Sequence, residues 1–429
     1  MRPLSLLGGA VVASGLFGAG QASAQDLSDP VFATQSLLPR TANVDPLDMS
    51  MPGPELQALG VRLGNYTLRT SAEIATIINS NVRVRPNGDS GVAGYVAPTI
   101  QITSNDDRNP LTAYVSGSLA LYPKQGTETV GTLSAGVDVT REIGQDVSVR
   151  AQASGGRFYE DRALSFTPNL SYRPVKFDRV DAVLSASWTP GRLVLVPSLG
   201  LNRLMYQDGL RLDDPTQRLV QRARNLVRIE PTLLAGYLLS DITSVYAAVT
   251  ADRRDYDTNN RLDSHGYAVY AGVRFRPTAL TRLDVALGYQ RQNYAPGLTD
   301  PAGLYARVVG LYSPDRQTAI RLEYRRDISE TGAVLVGGLT RDRMSFSVRR
   351  EVLRNWQLTG GAELRRYDFA TIDRKDFRAL GWLEGRYLAS RRFDLFVRAE
   401  QLVSRTSGTA GTFPDVERTS VTSGVTLKL

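Results

Sequence analysis

The chain closes on ERTSVTSGVTLKL, Glu417 to Leu429. In an extended strand Val421, Val425, Leu427 and Leu429 share one face, while Thr422, Gly424, Thr426 and Lys428 share the other, because side chains alternate across a strand. The apolar face must meet lipid or a neighbouring sheet. If the upstream sequence is a meander of similar strands, the last must pair with the first. A free sheet edge in hydrocarbon would leave N–H and C=O groups without partners.

Working back from that strand, the same texture reaches Gly60. Segments of about 10 to 15 residues alternate apolar and polar positions, and turn residues punctuate them, as antiparallel membrane strands require. The reading is all-β: a transmembrane, antiparallel up-and-down barrel over 61–429 with about 18 strands, 16 being the alternative. The first strand centres near Leu68 and the last near Val425, with Val137, Leu199, Val249, Val285, Leu322 and Leu383 among those between. Connections alternate in length. Glu142 to Gln145, Thr189 to Arg192, Ser240 to Ile242, Pro277 to Leu280, Ser313 to Arg316, Val352 to Asn355 and Ala389 to Arg392 are short; Glu160 to Lys176, Gln207 to Leu219, Asp257 to Ser264, Ala295 to Pro301 and Gly408 to Val416 are long and polar. Short turns belong to the periplasm and long loops to the exterior. An even strand count then places both termini in the periplasm.

The hairpin from Arg282 to Ser313 fixes the facing. Leu283, Val285, Leu287 and Tyr289 look outward while Arg282, Asp284, Ala286 and Gln290 look inward; on the return strand Leu304, Ala306, Val308 and Tyr312 oppose Arg307. The interior is therefore charged. By the same alternation Arg150, Arg282, Arg307, Arg321, Glu323, Arg325, Arg349, Glu363, Arg365, Arg398 and Glu400 are candidate pore-lining residues. So many ions in a dry core would be very costly, so the lumen holds water or a dense ion-pair network. The arginines serve either to attract anions or to pair with Asp284, Glu323, Glu363, Glu384 and Glu400 and stiffen the wall. Tyr122, Tyr159, Tyr289, Tyr294, Tyr312 and Tyr367 lie near strand ends, where aromatic girdles sit.

The opening segment is an address. Met1 to Ala24 has a basic start at Arg2, a Gly/Ala-rich apolar run and Ala22-Ser23-Ala24 as a cleavage site, the pattern of a signal peptide. Residues 25–60, with Pro30, Pro39, Pro46, Pro52 and Pro54, read as a Pro-rich periplasmic linker. No uncharged apolar run is long enough for a transmembrane helix, and a mean hydropathy of -0.21 fits a barrel whose apolar band is hidden in alternation. Cysteine is absent, which removes disulfides, thiolate metal sites and cysteine nucleophiles. The formal charge is +8, with arginine spread over the strands instead of gathered into a block. That argues against nucleic acid and for an anionic cargo or anionic lipid as the counterpart.

At this point a family resemblance appears. LGVRLGNYTLRTSAEI (Leu59 to Ile74), then TRLDVALGYQRQNY, DPAGLYARVVGLYSPDRQTAIRLEYRRDISET, REVLRNWQLTGGAELRRYDF and DRKDFRALGWLEGRYLASRRFDLFVRAE, resemble the beta-barrel porin-2-like outer-membrane proteins of Gram-negative bacteria. The likeness runs from roughly Pro54 to the C-terminus. It implies an outer-membrane barrel, inserted by the barrel-assembly machinery, often associated with exopolysaccharide gene clusters and of generally undefined cargo. Such barrels usually finish on an aromatic residue; this chain finishes on Leu429. The family brings no catalytic residue.

No cofactor, metal or catalytic site is expected. His265, the single histidine, sits in Asp263-Ser264-His265 and reads as a loop residue, since a hydrolase needs a nucleophile, base and orienting group converging in space. Asp213-Asp214 and Asp255 to Asp257 read as solvated loop carboxylates in preference to calcium ligands. Gly155-Gly156, Gly337-Gly338 and Gly360-Gly361 sit within strands and are no phosphate loops. The reading is a channel without chemistry, passing anionic polysaccharide or other anionic solutes. Its alternative is a structural or surface-binding barrel, blocked in its lumen, that acts through the long outer loops.

Overall fold

In the computed structural model the described residues are 56, 58–85, 88–106, 108–162, 171–278, 280–330, 336–409 and 415–429. The expected signal peptide (1–24) and nearly all of the linker (25–60) lie outside them. Eighteen long strands run β1 (Tyr66–Asn79), β2 (Gly91–Ser104), β3 (Leu111–Leu121), β4 (Val130–Ile143), β5 (Val147–Tyr159), β6 (Lys176–Trp188), β7 (Leu193–Tyr206), β8 (Leu226–Leu238), β9 (Thr243–Tyr256), β10 (Ser264–Thr278), β11 (Thr281–Tyr294), β12 (Ala302–Asp315), β13 (Thr318–Ser329), β14 (Leu339–Leu353), β15 (Trp356–Phe369), β16 (Lys375–Leu388), β17 (Phe393–Ser407) and β18 (Val416–Lys428). Each pairs antiparallel with its chain neighbours. Of the two strand counts expected, 18 is the one realised.

The ring closes at the stretch that opened the sequence reading. β18 pairs with β1 from Ser71↔Lys428 to Asn79↔Ser420, and Thr70 and Leu429 exchange backbone bonds of 3.2 and 2.9 Å. β18 ends there, leaving the first residues of β1 without a neighbour on that side. The chain supplies one by doubling back: Val61–Leu63 pairs with Tyr66 to Leu68 through a turn whose Gly64 has φ +59°, a conformation glycine adopts without a Cβ penalty. At the seam Gly424 faces Ala75, and a β-carbon on it would collide with the Ile74 carbonyl.

Alternation puts apolar side chains outside. On β11, Leu283, Leu287 and Tyr289 are 40, 55 and 46% exposed, whereas Asp284 and Ala286 are 1%. With strands about 4.8 Å apart and tilted about 40°, an 18-strand wall is roughly 35 Å across, too wide for side chains to fill it as a solid core. The cores are instead patches along the inner wall, such as Val194, Val196, Leu234, Tyr246, Tyr270 and Tyr305, where Tyr270 and Tyr305 stack at 4.6 Å.

Two expectations are corrected. Tyr122, Tyr294 and Tyr367 do not join an aromatic girdle. Each falls on the inward register of its strand, and Tyr122 and Tyr367 are buried; facing is set by parity, not by nearness to a strand end. At the short-turn end the outward, exposed aromatics include Tyr66, Trp188, Tyr237, Phe275, Tyr312 and Trp356. Gly337-Gly338 precedes β14 instead of lying within a strand.

A charge placed on the lipid face should cost more the deeper it lies. Leu287→Arg, in the middle of β11, is expected to lower unfolding stability in lipid vesicles by about 2–4 kcal/mol, and Leu304→Arg, near the long-loop rim of β12, by about 0–1 kcal/mol. Urea titrations of the folded protein check the difference, and equal costs at the two depths would contradict the span drawn here.

Candidate functional site

The inner wall is built on a local rule. Residues i and i+2 of a strand share a face about 6.6 Å apart, a span that an arginine and a carboxylate can bridge. Arg325 reaches Asp327 at 2.8 Å, Arg228 reaches Glu230 at 2.5 Å, Arg386 reaches Glu384 at 3.0 Å and Arg374 reaches Asp376 at 2.7 Å. Arg321 with Glu323, and Arg365 with Glu363, follow the same spacing. Cross-strand contacts join these rungs: Arg343 meets Glu363 at 2.7 Å, Arg341 meets Asp327 at 2.7 Å and Arg398 meets Glu384.

All eleven predicted residues occupy the inward register. Arg150 donates from Nε and Nη2 to Asp138 at 2.9 and 2.5 Å. Arg349 reaches Glu351 at 3.4 Å, and Glu400 accepts from the Ser420 hydroxyl at 3.3 Å. Arg307 lies opposite Ala286, and Arg282 one rung from Asp284; Asp284 is itself held by Arg274 at 2.9 Å and by the Tyr246 hydroxyl at 2.6 Å. Arg179, Arg228, Arg254 and Arg374 belong to the same ladder but were missed. Their signal was present in the sequence as Arg179-x-Asp181, Arg228-x-Glu230, Asp252-x-Arg254 and Arg374-x-Asp376.

At the long-loop end, residues bend off the wall and tie distant strands together. Immediately after β5, Glu160, Asp161 and Arg162 are all buried. Arg162 Nε donates to Glu128 at 2.7 Å, between β3 and β4. Asp161 accepts from Arg418 of β18 at 3.0 and 3.1 Å, five strands away in the ring. Glu160 pairs in the other direction with Arg224, ahead of β8, whose guanidinium lies 4.0 Å over the Tyr206 ring. Burial works against the charge on Arg224, but the neighbouring Glu160 carboxylate outweighs it and holds the group above its ordinary value. A second tie follows β13. Glu330 accepts from the Tyr256 and Tyr294 hydroxyls at 2.6 and 3.0 Å and pairs with Arg254, so β9, β11 and β13 meet at one carboxylate. Ile328 N–H donates to Gln290 Oε1 of β11 at 3.2 Å, bypassing β12.

The remaining candidates gather no chemistry. His265 faces outward on β10 opposite Arg253 and Asn293. Asp213 is engaged by Arg211 at 2.6 Å, and that hydrogen bond lowers its pKa to about 2; Asp214 caps Thr216 and Gln217. Among the described residues no group of three His, Cys, Asp or Glu is arranged to hold a metal ion.

The sequence profile of the family described as "Putative beta-barrel porin 2" matches residues 53–429. A search of curated proteins gives no match. Similar solved structures include OpdO of Pseudomonas aeruginosa, at 12% identity over 86% of this chain and 98% of that one, TM-score 0.43. OccK2 (OpdF) of the same organism gives 11%, 86%, 99% and 0.44. The FrpB iron transporter of Neisseria meningitidis gives 8%, 86%, 82% and 0.45. These likenesses carry nothing about what passes through this chain.

Removing one member of a buried ion pair leaves the other charge stranded, at a cost of about 3–5 kcal/mol. Arg418→Met is therefore expected to destabilise the folded protein by that amount, and Arg418→Met with Asp161→Leu to recover most of it. Denaturant unfolding of the wild type, both single variants and the double variant gives the coupling; additive losses would mean that the pair holds nothing together.

Proposed function

Because this chain belongs to the beta-barrel porin family whose profile spans it, we propose that it is an integral outer-membrane channel without catalysis, passing anionic solutes and acidic polysaccharide. In this reading the segment before Gln25 is removed on export, and the terminus-bearing, short-turn end faces the periplasm. The long loops stand outside.

One observation carries the cargo class. Arginines such as Arg321, Arg325, Arg349 and Arg398 line the inner wall in rows within a ring about 35 Å wide. Their carboxylate partners hold them extended along the wall. The planar guanidinium fork suits carboxylate and phosphate.

A second reading has its own support. The ties at Glu160 to Arg162 and at Glu330 cross between distant sectors of the long-loop end. A barrel stiffened in this way suits a blocked lumen whose outer loops bind a partner.

Planar-bilayer recording of the refolded protein in a salt gradient separates the two. A steady anion-selective conductance is expected, and Arg321→Glu or Arg349→Glu should reduce the selectivity at least twofold while leaving folding intact. Zero current over repeated insertions would favour the blocked barrel.

A further inference from the structure

The two rims of the barrel treat their exposed arginines differently. At the long-loop rim Arg157, Arg218, Arg222, Arg253, Arg291 and Arg366 each lie within ion-pair distance of an aspartate, and Arg173 and Arg261 are the exceptions among the described residues. At the short-turn rim the pattern reverses. Arg62, Arg141, Arg192, Arg316, Arg354 and Arg392 are exposed and have no carboxylate within 4 Å among the described residues. Arg108 and Arg350 are set near Asp106 and Asp315, which leaves Glu142, Asp146 and Asp241 as the exposed carboxylate side chains set against those six among the described residues. The excess is cationic.

Position narrows the partner. Arg192, Arg316, Arg354 and Arg392 lie in the turns β6–β7, β12–β13, β14–β15 and β16–β17, past the end of the wall and around its opening. Lipid headgroups would meet side chains on the outward face; of these six, Arg141 follows the outward register of Val137. Hairpin turns recur every two strands, about 12 Å apart along the rim. That is close to the Debye length of about 8–10 Å near physiological salt, so the fields of Arg316, Arg354 and Arg392, in successive turns, overlap into one cationic arc of the collar, while Arg192 stands three turns from Arg316. Just inside, Arg282 and Arg349 stand on the inward register.

We propose that this collar is the docking surface for an acidic polysaccharide chain, which the barrel captures at its terminus-bearing mouth. The inference deepens the channel reading and rests on it for direction. Many weak guanidinium–carboxylate contacts on one polymer add through effective concentration, and none of them is committed to a protein partner.

The test measures binding separately from conduction. Full-length protein folded in detergent is titrated with fluorescein-labelled polygalacturonate, with neutral dextran as control. The wild type is expected to bind the polyuronate and not the dextran, with affinity falling at least tenfold between 0.05 and 0.5 M NaCl. Arg192→Glu, Arg316→Glu, Arg354→Glu and Arg392→Glu together should cost at least a further tenfold. Folding is checked by heat-modifiable gel migration, and Arg192→Glu with Arg354→Glu serves if the fourfold variant does not fold. Wild-type affinity in a folded variant overturns the proposal. So does a variant that binds polymer normally but no longer retains phosphatidylglycerol, since the collar would then be a headgroup site. Binding by a barrel that passes no current would overturn the channel and keep the collar; anion-selective current without polymer binding would do the reverse.

Discussion

In hydrocarbon a backbone amide has no water to turn to, and every other feature of this chain answers to that constraint. A helix satisfies it within one segment; a sheet satisfies it only by closing on itself. Closure demands an even meander, alternating faces and a final strand that finds the first. β18 does so over Ser71 to Asn79, and where it stops Val61–Leu63 takes over the edge. The wall then has an apolar outer face fixed by lipid, which forces the chain's ionic residues onto the inner face.

That inner face solves an electrostatic difficulty with strand geometry. Each arginine is desolvated by the wall behind it, and a carboxylate can compensate from two places along the same strand or from directly opposite on the next, as Asp327 does for Arg325 and for Arg341. The repeated Arg-x-Asp and Glu-x-Arg pairs are therefore as much a product of β periodicity as the apolar stripe outside. They give an inner wall whose charges stand in paired rows.

The parts legible in the sequence were those with short-range signals. Strand number, the facing of Leu283 to Gln290 and the short and long connections all followed from alternation and turn residues. So did the inward placement of Arg321 and Glu363. What escaped were contacts made across the ring. Asp161 and Arg418 are 257 residues apart, and nothing near either residue announces the other, because their meeting depends on the registers of all intervening strands. Tyr122 and Tyr367 are buried for a simpler reason: parity, not distance from a strand end, decides which side of the wall a ring faces.

The seam has a mechanical meaning. β1 shares register pairs with β2 along its whole length, Tyr66 to Asn79, but with β18 only from Ser71 onward. That partial pairing lies where the chain both enters and leaves the wall. Val61–Leu63 is the clasp drawn over the rest of that edge, giving the first residues of β1 the backbone neighbour that β18 does not reach.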